Sequence, residues 1–223
     1  MAEQLVFNLP ARPALGRADF FVSPMNEPAV QTIEGWHDWP LGKLVLWGPE
    51  ASGKTHLAHV WADLSGAEIV SAVDLVERDI HEIGGFVGVE DVDQIAGNPA
   101  AEEALFHLHN LVQEAGGALL LTSRIAPARW NLHLPDLQSR IAQAVVARLQ
   151  PPDDALLAAV LVKQATDLRL AIPPDLVQFV VPRMERSFAA ARDLVLELDQ
   201  RALLEKRRPS RALAAAILAD WNE

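Results

Sequence analysis

Residues 48–55 read Gly48-Pro49-Glu50-Ala51-Ser52-Gly53-Lys54-Thr55, a complete Gly-x-x-x-x-Gly-Lys-[Ser/Thr] phosphate-binding loop. Each fixed position has a physical role. Gly48 and Gly53 let the backbone curl so that its N–H groups face phosphate oxygens. Lys54 supplies a flexible point charge for the β- and γ-phosphates, and Thr55 a hydroxyl for Mg²⁺. The flanks fit. Lys43-Leu44-Val45-Leu46-Trp47 is a short apolar run suited to a buried strand. Thr55 to Trp61 reads as a helix whose N-terminus favours an anion.

Working outward, the chain from Ala18 to about Gln150 alternates apolar runs with amphipathic stretches, the pattern of a parallel α/β sheet. Strands are expected at 44–47, 68–71, 86–90, 118–122 and 144–149. A helix is expected over 101–115, started by Asn98-Pro99 and stopped by Gly116-Gly117. After Pro151-Pro152 the character changes to helices alone. Asp153 caps one to Leu168, Pro173-Pro174 open another, Ser187 caps a long one to about Arg207, and Ser210 caps a last one to Trp221. The expected organisation is therefore an extended tail over 1–16, an α/β nucleotide-binding domain over 17–150 with a five-stranded parallel sheet, and a small all-helical lid over 151–223.

A phosphate loop requires acids on a neighbouring strand, and Phe86-Val87-Gly88-Val89-Glu90-Asp91 supplies two. Glu90 would act on Mg²⁺ and Asp91 would orient an attacking water. Ala118-Leu119-Leu120-Leu121-Thr122-Ser123 is a buried strand ending in two hydroxyls, where a γ-phosphate or an attacking water could be sensed, with Ser123 as the candidate catalytic residue. His56 and His59 share a helix face without an evident third metal ligand, and the tryptophans are expected to pack.

The 223-residue chain has a formal charge of −11 and no cysteine, so disulfides and thiol chemistry are excluded and independent DNA binding is disfavoured. The only dense basic cluster is Lys206-Arg207-Arg208 with Arg211, which suits a solvated helix end. No apolar run reaches membrane-spanning length, and a cytoplasmic protein is expected.

Together these segments resemble the AAA+ ATPases, and more narrowly the DnaA branch. The stretch Arg17 to Ala29, with Phe21 and Asn26, resembles the segment that lies near the adenine. Leu46-Trp47-Gly48 through Lys54-Thr55-His56-Leu57 resembles the Walker A block, and Glu90-Asp91-Val92 the Walker B block. Leu121-Thr122-Ser123-Arg124 resembles sensor 1, Leu137-Gln138-Ser139-Arg140 the block with the arginine finger, and Ala191-Arg192-Asp193-Leu194 sensor 2.

The resemblance implies ADP or ATP with Mg²⁺ as cofactors. It implies Arg192 as a contact to the nucleotide bound in cis, and Arg140 as a catalytic finger offered in trans to a neighbour's nucleotide. DnaA itself carries a basic helix-turn-helix domain after the lid and a long N-terminal region, and this sequence shows neither. The tail instead reads Gln4-Leu5-Val6-Phe7-Asn8-Leu9-Pro10, similar to peptides that dock on the replicative sliding clamp, with Gln4, Leu5, Phe7 and Leu9 as anchors.

A DnaA-like core with a clamp peptide resembles the Hda regulators. That implies binding of the clamp and of DnaA, stimulation of ATP hydrolysis on DnaA, contact with DNA only through the clamp, no membrane partner, and possible homo-oligomers. Glu90 and Asp91 stand where an aspartate and a glutamate are usual in the wider superfamily. The exchange displaces metal and water by about an ångström, so slow intrinsic turnover is expected. The alternatives are an ATP-driven, helicase-loader-like remodeller and a P-loop small-molecule kinase.

Overall fold

The computed structural model describes residues Phe20–Trp221; the clamp-like peptide lies outside them. Five parallel strands form one sheet in the order β2-β3-β4-β1-β5. They are β1 (Lys43–Trp47), β2 (Glu68–Ser71), β3 (Phe86–Glu90), β4 (Ala118–Ser123) and β5 (Val145–Arg148). Each lies within one residue of its expected bounds. A parallel sheet needs both faces covered, because its crossovers put helices on each side. Here α1 (Glu27–Glu34) and α2 (Lys54–Ser65) join Leu44, Leu46 and Leu120 in one core, while α3 (Pro99–Glu114) and α4 (Pro135–Ile141) join Val45, Val87, Val89, Leu119 and Leu121 in the other.

Helices alone follow Pro151 among the described residues: α5 (Asp154–Asp167), α6 (Pro174–Val180), α7 (Phe188–Glu205) and α8 (Arg211–Asp220). Asp153, Ser187 and Ser210 each accept the backbone N–H three residues on, the capping geometry expected of them. α7 stops two residues short of Arg207, where Lys206 turns left-handed (φ 50°). These helices share a separate apolar core. The neighbours Phe20 and Phe21 divide between the two halves: Phe20 is buried in the sheet core under α2, and Phe21 packs on the helical core.

Trp39, Trp61 and Trp130 are buried as expected. Trp221 is not a core residue. It is 40% exposed, and its indole donates to Glu197 Oε2 (2.9 Å).

Glu102 looks like a surface position of an amphipathic helix, yet it is fully buried. Its carboxylate accepts three backbone N–H groups, from Gly97 (2.8 Å), His133 (2.8 Å) and Leu134 (2.7 Å). It thereby ties the start of α3 to the start of α4, the helix that carries Arg140. Glu102→Ala would leave three buried donors unpaired, and we expect a loss of roughly 3 kcal/mol or more in urea denaturation. A loss under about 1 kcal/mol would show that this carboxylate does not hold the two helices together.

Candidate functional site

The phosphate loop starts where the sheet ladder ends. Gly48 N–H donates to Ser123 O on β4 (3.1 Å), and Leu149 N–H, just past β5, donates to Trp47 O (2.8 Å). Pro49 and Glu50 are exposed, Ala51 turns left-handed (φ 53°), and Gly53 does so more strongly (φ 96°). Lys54 is buried at the first turn of α2, and its ammonium donates to Gly48 O (2.9 Å) and Pro49 O (2.8 Å). Burial lowers its pKa. The carboxylates of Asp91, Asp93 and Glu50 oppose that shift, and Arg124 adds to it. Ser52 is buried inside the loop with its hydroxyl unpartnered. A loop with spare donors, a basic residue at its centre and a helix starting from it is chemically suited to a polyphosphate.

Strand alternation places the other groups. Gly88 and Glu90 share the face of β3 toward α2, since a Cβ at Gly88 would meet Ile69 and Trp61. Glu90 Oε1 is buried without a protein partner, and Thr55 lies exposed on the first turn of α2. A spare carboxylate oxygen and a hydroxyl beside a phosphate loop fit Mg²⁺, a hard cation that completes its shell with phosphates and water. Asp91 turns left-handed (φ 57°) directly after the strand, and its N–H donates to Thr122 Oγ1 (3.1 Å).

The hydroxyl expected to sense phosphate is not free for that role. Ser123 is fully buried on the opposite face, toward α3. It donates to Ile125 O (2.8 Å) and accepts from Trp130 Nε1 (2.9 Å) and Ile125 N (3.1 Å). Thr122 is the residue that faces α2. The polar pair at this end of β4 is instead Arg124 and Asp93. Arg124 donates from its backbone N–H and from Nε to the two Asp93 oxygens, both at 3.0 Å. Burial alone would raise the Asp93 pKa, but the bonds from Arg124 and its charge hold the carboxyl below its ordinary range.

Other expected residues divide. His56 stands on the first turn of α2 with its ring edge-on to Phe20 (5.1 Å). Asn26 is buried and spends its amide on the turn ahead of α1, accepting from Ser23 N (2.7 Å) and donating to Phe21 O (2.8 Å). It therefore shapes the segment rather than presenting its amide to a ligand. Arg192 is exposed on the second turn of α7, with Nε on Asp193 (3.1 Å). One turn before it, Phe188 donates its N–H to Ala51 O (3.3 Å) and lays its ring on Gly53. Residues four apart share a helix face, so Arg192 sits on the side of α7 turned to the loop. Arg140 is exposed on α4, and its backbone carbonyl accepts the buried Lys43 ammonium (2.9 Å). It lies at the end of β1 opposite the phosphate loop.

No protein-family model matches the chain. The fold is similar to several solved structures. Domain III of DnaA from Thermotoga maritima superposes with a TM-score of 0.84 at 18% identity, covering 95% of this chain and 98% of that one. AMPPCP-bound DnaA from Aquifex aeolicus gives 0.72 at 13% identity, covering 84% of this chain and 66% of that one. A RuvB variant from Thermotoga maritima gives 0.66 at 17% identity, covering 86% and 66%. The chain thus spans nearly all of the isolated DnaA domain and just under two thirds of the longer chains. Its fold is an α/β core like that of DnaA domain III.

The Asp93–Arg124 pair has a pH signature. A depressed carboxyl contributes stability above its unfolded value of 3.8, and loses it as pH falls through the lower folded value. Asp93→Asn is expected to be less stable than the parent at neutral pH, with the difference in urea midpoint shrinking below pH 3.8. A difference that stays constant into acid would remove the charge on Asp93 from the account.

Proposed function

We propose that this chain is a nucleotide-binding regulator of replication initiation of the Hda type. It binds ADP or ATP with Mg²⁺ at Gly48–Thr55, docks on the sliding clamp through Gln4, Leu5, Phe7 and Leu9, and stimulates ATP hydrolysis on DnaA through Arg140. DNA enters only through the clamp. Intrinsic turnover is slow, because Glu90 and Asp91 exchange the usual lengths of the two acids and Asp91 is held in a left-handed turn.

The observation that carries the reading is the place of Arg140. Lys43, bonded to its carbonyl, is the first residue of β1, and the phosphate loop follows the last. Four strand steps separate these ends by about 13 Å. An exposed arginine so placed suits a neighbour's phosphates rather than those of its own loop. A guanidinium brought there meets charge developing on the γ-phosphoryl oxygens, and such a group supplied in trans is worth roughly 10³–10⁵ in rate. The similarity to DnaA domain III supports a partner of the same build, since one AAA+ surface then completes another.

Two measurements test this. Arg140→Ala is expected to keep fold, nucleotide and clamp binding while losing stimulation of DnaA-bound ATP hydrolysis. Arg140→Lys should rescue poorly, because an ammonium lacks the two-pronged fork. Stimulation equal to the parent's in Arg140→Ala would remove the mechanism. Deleting residues 1–10 is expected to abolish capture by immobilised clamp and to leave the thermal midpoint unchanged. Clamp capture that survives the deletion would make the Gln4 motif irrelevant.

A further inference from the structure

A cavity of about 310 Å³ opens beneath Arg140, between the start of β1, the outer side of α3 and the end of α4. Leu41, Lys43, His109, Asn110, Arg140 and Gln143 are among its lining residues. Its charged groups are the Lys43 ammonium, the Arg140 guanidinium and the Glu114 carboxylate, and Asn110, Gln113 and Gln143 add amides. Lys43 is 3% exposed, and its ammonium has three N–H donors but one acceptor among the described residues, Arg140 O. His109 is 4% exposed. Its Nδ1 meets the Asn110 side-chain oxygen (3.2 Å), and its Nε2 has no partner. The Arg140 guanidinium makes no ion pair among the described residues. The one carboxylate in the lining, Glu114, is exposed and pairs with neither cation. In a chain of charge −11, a buried ammonium without a carboxylate partner, beside an exposed unpaired guanidinium, is an unusual place. Burial and then the Arg140 charge lower the Lys43 pKa, and an anion between the two cations opposes that shift.

We propose that this cavity is a second anion site, which takes a phosphate-type oxyanion between Lys43, His109 and Arg140. The oxyanion accepts the free Lys43 donors and a fork of Arg140. With Nδ1 donating to Asn110, His109 Nε2 carries a proton only when the ring is charged, so the bound anion draws His109 to the imidazolium form. Burial lowers the His109 pKa and the charges of Lys43 and Arg140 lower it further, against the Asn110 bond. An anion opposes those two charges, so its affinity rises as pH falls through the His109 titration. Glu114 at the rim and the Lys43 and Arg140 charges are the titratable and charged groups facing the ring.

The site lies at the far end of β1 from Gly48–Thr55. Failure of nucleotide binding leaves it standing, and its own failure leaves the nucleotide reading untouched. The test follows the His109 ring by NMR, its signal identified by disappearance in His109→Gln. Titration with inorganic phosphate and separately with tripolyphosphate is expected to shift the signal and raise its midpoint. Lys43→Met should weaken the response at least about tenfold, the loss of one charge-assisted contact. A response to inorganic phosphate identifies a site for the free ion. A response to tripolyphosphate alone identifies the tail of a nucleotide offered by a neighbour. A His109 signal unmoved by either, or equally responsive in folded Lys43→Met, overturns the proposal. Should Lys43→Met fail to fold, Arg140→Ala at its exposed position takes its place, and undiminished affinity there overturns it as well.

Discussion

The close approach of Gly48 to Leu149 sets the geometry of everything around the phosphate loop. A Cβ at Gly48 would lie 2.4 Å from Leu149 O and 3.0 Å from Ser52 Oγ, so only glycine fits without moving backbone. That approach lets β1 stay hydrogen-bonded on both sides up to its last residue, through Gly48 N–H to Ser123 O and Leu149 N–H to Trp47 O. The loop therefore departs from a fixed point in a strand that is paired on both sides. Its left-handed turns at Ala51 and Gly53 then aim the first turn of α2 back over the strand ends. An alanine in that region costs on the order of 1 kcal/mol, strain of the kind held at ligand sites by the packing around them.

From this point the structure couples the loop to the helical half. Phe188 opens α7 with its N–H on Ala51 O and its ring on Gly53, and the Phe20 ring approaches the same glycine. Phe20 belongs to the sheet core, while Phe21 and Phe188 pack on the helical core. A change in loop conformation therefore acts directly on the first turn of α7 and on the angle at which Arg192 is presented. At the opposite end of β1, Lys43 holds the last turn of α4, and Glu102 holds its first. One strand thus supports both the loop and the arginine that faces away from it.

Much of this was legible in the sequence because its signals are local. The loop, the five apolar runs and the caps at Asn98, Asp153, Ser187 and Ser210 depend on neighbours within four residues. What could not be read depends on the sheet. Thr122 and Ser123 alternate by strand rule, but which of them faces α2 follows only from the strand order. Arg124 and Asp93 stand 31 residues apart, and Lys43 and Arg140 stand 97 apart. Glu102 has the sequence appearance of a solvated helical glutamate, and its three bonds come from loops that only the fold brings near. Asn26 fits a ligand contact by type, yet its amide is consumed by its own turn.

The central claim is that Gly48–Thr55 holds a nucleotide through Lys54. Calorimetric titration of ADP with Mg²⁺ into the full chain and into Lys54→Ala tests it most directly. The account predicts one site per chain, and an affinity at least about tenfold weaker in the variant, the loss of a charge-assisted contact of roughly 1–3 kcal/mol. Absence of binding to the parent, or equal affinity in the two proteins, would contradict it.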